Sequence, residues 1–343
     1  MDSRSSLLPF LLLTVSVVQP CGAWPQLPTA SEIPQSQLID PQEREHYGGV
    51  RSVVDWSPSE LLKVLPELKG LATAQSQEEL ATLLRKVGEN VTAFFRDFPN
   101  TTSVEEIRQE RFLPGKPMPM PTEGLERTSP LPESQVQTFH YLMLAGPEDK
   151  PMSGLQEYRT DQEGRRLDVH GMTRSSSILT SRFVSTPIFF HPLHQDGSAF
   201  RYLGRQRIAK RETYVVAFAQ RPVATRLVEW VANGEKTAAV LLQGVAWIDP
   251  TTYQIIRMRT DLLAPRPDIH LERQSTEIRF AEVHLKTLPG AFWLPGQVVV
   301  TVNIQGQIYR NTHRYSHFKL FKVETQEIPE AKEPTPGEPN KPE

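Results

Sequence analysis

Cysteine is nearly absent: Cys21 is the single one in 343 residues. Disulfide scaffolds and paired-thiol zinc or redox motifs are thereby excluded. Also missing are a phosphate-cradling glycine loop, a nucleophile elbow and a zinc-protease helix motif. No strong charge of one sign is present, the formal net charge being −2, so a nucleic-acid partner is not expected. After the first two dozen residues no apolar run approaches membrane-spanning length; Ala238 to Leu242 is the nearest.

What is present begins with a leader. Arg4 precedes the apolar stretch Leu7 to Val18, and Cys21 and Ala23 are small residues ahead of a cut before Trp24. Residues 1–23 are expected to be a signal peptide. Pro20 stands where a lipoprotein signal needs a small residue, which argues against lipidation at Cys21. Cleavage would leave a mature chain with no thiol, soluble in the periplasm or outside the cell, and stabilised by core burial alone.

Residues 24–55 are rich in Pro, Gln and Ser and read as a linker. Residues 56–325 read as one α+β domain, and the charged, proline-rich 326–343 as a disordered tail. Ser57-Pro58-Ser59-Glu60 has the form of a capping box opening a helix, which Pro66 should interrupt. Ser76-Gln77-Glu78-Glu79 repeats that form. Behind it Leu80, Leu83, Leu84, Val87, Val91, Phe94, Phe95 and Phe98 keep a helical 3-4 spacing up to Pro99. The period then changes. Leu113 to Pro132 reads as a proline-rich loop, and the remainder as strands: Val136 to Gly146, a hairpin turning at Asp161 to Gly164, a hairpin from Phe200 to Ala219, and strand after strand beyond Val245.

The stretch Gly244 to Pro265 shows the logic. Asp249-Pro250-Thr251-Thr252 is a corner, because proline presets the backbone and the aspartate can bond the turn amides. On the return strand Ile256 and Met258 should share one face, and Arg257 and Arg259 the other. A parity switch between Ile278, Phe280 and Val283, Leu285 predicts a bulge. The expected fold is therefore α+β: N-terminal amphipathic helices packed on a large curved antiparallel sheet of roughly eight to eleven strands.

Candidate chemistry is sparse. His191 and His194 with Asp196 form the best metal candidate, but the intervening Pro192 disfavours a ligand-aligning helix. His313 and His317 read as strand-surface groups, and Ser175-Ser176-Ser177 has no assignable base. No catalytic residue, metal or cofactor is assigned. Charge is uneven: 14 acids and 8 bases from Trp24 to Glu110, against 12 bases and 5 acids from Arg159 to Arg226. Acidic helices on a basic sheet would explain this, as would an anion-attracting surface at Arg201, Arg205, Arg207, Lys210 and Arg211.

Two segments resemble a known family. "GVAWIDPTTYQIIRM", Gly244 to Met258, and "YLGRQRIAKRETYVVAFAQ", Tyr202 to Gln220, are similar to hairpins of the outer-membrane lipoprotein carrier (LolA-like) superfamily, with Trp247 and Asp249 matching residue by residue. A separate group of exported bacterial proteins on that scaffold fits equally. The resemblance implies a half-open barrel with a helical lid and an apolar cavity for acyl chains. The expected cavity wall is Trp247, Ile256, Met258, Ile278, Phe280, Val298, Val300 and Val302, capped by Phe94 and Phe95, with the arginine-rich hairpin for an anionic head group. The function expected is a non-catalytic envelope module binding a lipid or other apolar ligand. The alternative is an envelope scaffold that recruits a protein partner through the C-terminal tail, and a hydrolase is the third reading.

Overall fold

The computed structural model describes residues 39, 41–112, 133–145, 155–167, 182–208, 210–233, 236–286 and 288–321. Cys21, the signal segment, the 113–132 loop, Ser175 to Ser177 and the 326–343 tail lie outside them. Alternating apolar positions produce fourteen strands: β1 (Ala72–Thr73), β2 (Thr101–Phe112), β3 (Glu133–Leu144), β4 (Gln156–Thr160), β5 (Arg166–Leu167), β6 (Ser198–Ile208), β7 (Arg211–Gln220), β8 (Glu229–Asn233), β9 (Lys236–Val240), β10 (Leu242–Ile248), β11 (Ile255–Leu262), β12 (Leu271–Val283), β13 (Phe292–Ile304) and β14 (Gln307–Leu320). Twelve form one open sheet in the order β1-β6-β7-β10-β11-β12-β13-β14-β2-β3-β4-β5, and β8-β9 pair separately. Among the described residues every ladder of the large sheet is antiparallel, and its ends, β1 and β5, do not pair.

Helices cover both faces. α1 (Pro41–Glu45) and α2 (Pro58–Val64) precede the sheet, and a 3-10 turn at Pro66–Leu68 follows α2 where Pro66 stops it. The Ser57–Glu60 capping box forms as expected. The long helix α3 (Glu78–Asp97) does not use its second candidate box: Gln77 is the N-cap, without a side-chain cap. The Gln77 amide instead donates to the Tyr202 carbonyl at 2.9 Å and accepts from the Tyr202 N–H at 2.8 Å, docking the helix start on β6. α3 buries Leu83, Val87, Val91 and Phe95. Its Gly88 permits close approach by α4 (Pro192–Gln195), since a Cβ there would lie 2.9 Å from the Gln195 amide.

Paired residues share a face, so the ladders sort the side chains. The inner face, under α3, carries Val216, Phe218, Ala246, Met258, Ile278 and Val298 in one core with Val87, Val91 and Phe95. The outer face carries Leu203, Val215, Ala217, Val245 and Trp247, packed on Val53, Leu61, Leu65 and Leu68. The presumed linker is therefore structural from Ile39 onward: Ile39, Tyr47 and Val53 are buried against the sheet.

Two expectations need correction. Trp247 and Ile256 do not line the inner face; both belong to the outer cluster. The cause is a register shift: Trp247 pairs with Arg257 and Ile248 with Ile255, leaving Ile256 as the extra residue of a bulge. A strict period of two fails there, so Ile256 and Met258 part. The bulge inferred near Phe280 exists, but its extra residue is Gly296 on the facing strand, between Pro295, paired with Phe280, and Gln297, paired with Arg279.

Candidate functional site: the inner face and its strap

The space between α3 and the sheet narrows to a surface cleft. Val87, Val91 and Phe94 of α3 face Phe280 and Trp293 of the sheet, and Val184 and Pro187 close the third side. Those last two belong to a strap, residues 182–191, containing a 3-10 turn at Thr186–Phe190. The hollow measures about 30 Å³, room for one or two waters and far short of an acyl chain. Of the expected cavity residues, Phe95, Met258, Ile278, Phe280, Val298, Val300 and Val302 share the inner core, with Phe94 packed at its margin. They share one packed core and fill the interior.

Along one inner row the character changes. From Ala246 through Met258, Ile278 and Val298 the row is apolar, and it continues through His313, Ile107 and Gln137. The next row runs Thr276, Val300, Asn311, Gln109 and Gln135. The half of the inner face on β14, β2 and β3 is thus largely polar and yet buried: His313 and Glu105 are 0% exposed and Gln109 is 6% exposed.

A charged network holds this half. Arg159 donates to Glu105 through Nε at 2.5 Å and Nη2 at 2.8 Å, a bidentate pair with both side chains buried. Tyr315 donates to Glu105 at 2.6 Å, and His313 Nδ1 lies 2.9 Å from the same oxygen. Desolvation raises the Glu105 pKa, but the Arg159 charge, its hydrogen bonds and the His313 bond outweigh it and hold the carboxyl down at about 2. Two strands away Glu157 behaves oppositely. Burial pushes its pKa up, against the lowering effect of bonds from Tyr141 and Ser185. Ser185 Oγ donates at 2.9 Å and its N–H at 3.3 Å, so Glu157 latches the strap to β4. Phe183 of the strap lies on the His313 ring, centroids 4.9 Å apart.

Among the inner polar atoms with no hydrogen-bond partner are Ser103 Oγ, Gln109 Nε2, Gln137 Oε1 and His313 Nε2. Sequence reasoning passed over Ser103, Gln109 and Gln137 and misread His313 as a surface group. An inner strand position occupied by Gln, Ser or His looks like an outward one when alternation is the only signal. Arg159, on the strand leading into the Asp161 to Gly164 turn, is buried in the same way.

The arginine-rich hairpin does not assemble an anion site. Arg201 donates to the Trp56 carbonyl at 2.6 Å and the Val54 carbonyl at 3.3 Å. Arg205 stacks on Tyr214 and reaches Glu79, while Arg207 approaches Glu212. Lys210 sits exposed in the turn, and Arg211 lies 3.8 Å from Asp249. His191 caps α4 by accepting from the Leu193 N–H, and burial lowers the His194 pKa to about 4. Among the described residues no cluster of His, Cys, Asp or Glu could hold a metal, and no helix is long and apolar enough to cross a membrane.

No family model matches the chain, and neither does any curated protein. Solved structures do match. A DUF1329 family protein from Desulfovibrio piger is 9% identical at TM-score 0.37, covering 70% of this chain and 92% of its own. A domain assigned as an outer membrane lipoprotein-sorting protein, from Vibrio parahaemolyticus, is 10% identical at TM-score 0.35, covering 69% and 91%. Mycobacterium tuberculosis lipoprotein LppX is 10% identical at TM-score 0.22, covering 68% and 93%. At these identities and TM-scores nothing about family, role or ligand passes from them to this chain.

Proposed function

We propose that this chain is an exported, non-catalytic envelope module that takes up a lipid or another apolar, chain-bearing ligand between α3 and the inner face of the sheet. One observation carries the reading: an apolar cleft, lipped by Phe94, Phe280 and Trp293, opens at the seam of helix, strap and sheet. Binding sites of this kind are mostly apolar with a few placed polar groups. Here the polar groups lie further along the same face. The ligand enters by displacing the strap and shifting α3, because the closed hollow is too small to receive it. The export assignment rests on the leader and the thiol-poor chain, and the domain limits 56–325 extend on this reading to take in the packed segment from Ile39.

The small hollow also favours a second reading, an envelope scaffold with a filled interior and no small ligand. One assay decides between them. Trp293 should be quenched saturably by a doxyl-labelled fatty acid in the folded protein, and Phe94→Glu at the lip should abolish the quenching without unfolding the chain. Folded protein that shows no saturable quenching overturns the first reading.

A further inference from the structure

The polar half of the inner face needs its own explanation. Buried polar atoms are almost always hydrogen-bonded, and each exception calls for a physical reason. Three of these orphan atoms surround one residue, Ile107. Ile107 pairs with His313 on one side and Gln137 on the other, so His313 and Gln137 lie about 10 Å apart across two strand spacings. Gln109 follows two positions along β2 on the same face, about 7 Å from Ile107. Their orphan atoms are His313 Nε2, Gln109 Nε2 and Gln137 Oε1. One is an imidazole nitrogen able to donate or accept, one an amide donor and one an amide acceptor. The covering group is Phe183 of the strap, set against the His313 ring. The strap's next residue, Val184, lines the apolar cleft. The strap therefore bridges the cleft and the polar row.

We propose that His313, Gln109 and Gln137 form a polar subsite for the head group of an amphiphile whose chain occupies the α3 cleft, and that the head is uncharged and hydroxyl-rich, of the glycosyl class. This rests on the apolar-ligand reading above and specifies its ligand. Uncharged follows from the bordering ions. Glu105 is held by Arg159 in a bidentate pair, and Arg111, next along the face after Gln109, has a partner of its own. Neither of these two arginines is free for a phosphate, and the mixed donor and acceptor set suits hydroxyls, which both give and take hydrogen bonds.

The test compares decyl maltoside, decyl phosphate and decanol, each below micelle formation, by calorimetry on the full chain. Decyl maltoside should bind about tenfold or more tighter than decanol, as one or two added hydrogen bonds would give. Gln137→Leu and Gln109→Leu should erase that advantage and leave decanol binding unchanged. Phe183→Ala, which removes the cover, should tighten decyl maltoside. Equal affinity for decyl maltoside and decanol overturns the head-group subsite while the apolar reading stands. Tighter binding of decyl phosphate than of decyl maltoside overturns it as well. Failure of all three probes to bind folded protein overturns both.

Discussion

The two faces of the sheet are covered in different ways. The outer face is sealed by Ile39 and residues 41–71 with most of its buried polar groups matched, Arg257 Nε being an exception. Trp247 Nε1 donates to Gln206 at 2.7 Å, and Gln206 donates in turn to the Glu67 and Lys69 carbonyls at 2.8 and 2.9 Å. Gln243 accepts from the Val53 N–H and donates to the Leu262 carbonyl. Arg259 holds Glu67 and Asp261, and Arg266 holds Glu43 and Asp268. The inner face is covered by α3 and the strap, with a cleft at the seam and orphan polar atoms beneath. A cover that satisfies what it buries is costly to remove. A cover that leaves donors and acceptors unmatched gives back part of their desolvation cost when it lifts. The outer segment is accordingly a structural seal, and the inner strap is the part of the fold suited to exchange with a ligand.

The sharpest way to break this contrast is to cut the outer seal. Arg266→Ala takes the buried guanidinium away from Glu43, Asp268 and the Ala239 carbonyl, the last keeping only the Tyr47 hydroxyl of these two side-chain donors. Breaking a buried pair from one side costs about 3–5 kcal/mol, so chemical denaturation should show a loss of that order. Trp247→Phe is next. It keeps most of the ring but leaves the buried Gln206 oxygen without its donor, and the stacked Arg257, 4.5 Å from the ring, loses part of its platform. A loss of about 1–3 kcal/mol is expected for an orphaned buried acceptor. If either variant melts with wild type, the outer segment is no seal.

Much of this contrast was visible in the sequence on the outer side and little on the inner. Ser57, Pro58 and Glu60 announce α2 by local chemistry, and Asp249 announces its corner, where it accepts the Thr251 and Thr252 N–H groups at 2.9 Å. The phenylalanine stripe of α3 and the valines of β13 fix the inner core through periodicity. What escaped depends on register. The Ile256 bulge reverses the face of one hairpin, and nothing local marks it. Glu105, Arg159 and His313 are 208 residues apart at the extreme and meet only because β14 pairs with β2, so no spacing rule could collect them. The Arg201 to Arg211 cluster shows the converse: Arg201, Arg205 and Arg207 share parity, but a register shift between Tyr202 and Gly204 turns Arg201 to the other face, and Arg211 falls on the next strand.

Within the inner face the two buried carboxylates supply a smaller, pH-resolved comparison. Glu105 has a depressed pKa, so its contribution is full above the ordinary carboxylate value near 4.5 and is lost as pH falls toward about 2. Glu157 has a raised pKa. The folded state then holds a proton that the unfolded chain releases, and its contribution is full below 4.5 and declines as pH rises through the folded value. Glu157→Gln removes that second slope and retains an acceptor for Ser185. Its melting temperature relative to wild type should therefore rise between pH 4.5 and neutrality. A difference that stays flat with pH would show that Glu157 is not the group restraining the strap side of the face.

The smallest effect is the most discriminating. On the outer face, removing a polar group orphans a partner; on the inner face, Gln137 Oε1 has none to orphan. Gln137→Leu deletes an unmatched acceptor from a half-buried position and replaces it with apolar volume of similar size. Such an exchange is close to neutral or stabilising, so the melting temperature should hold or rise by a few degrees. The equivalent substitution on the opposite face, Gln243→Leu, takes partners from the Val53 N–H and the Leu262 carbonyl and should lower it. Equal losses from the two glutamines would mean that Gln137 is matched in solution by ordered water, and that the inner face is as fully sealed as the outer.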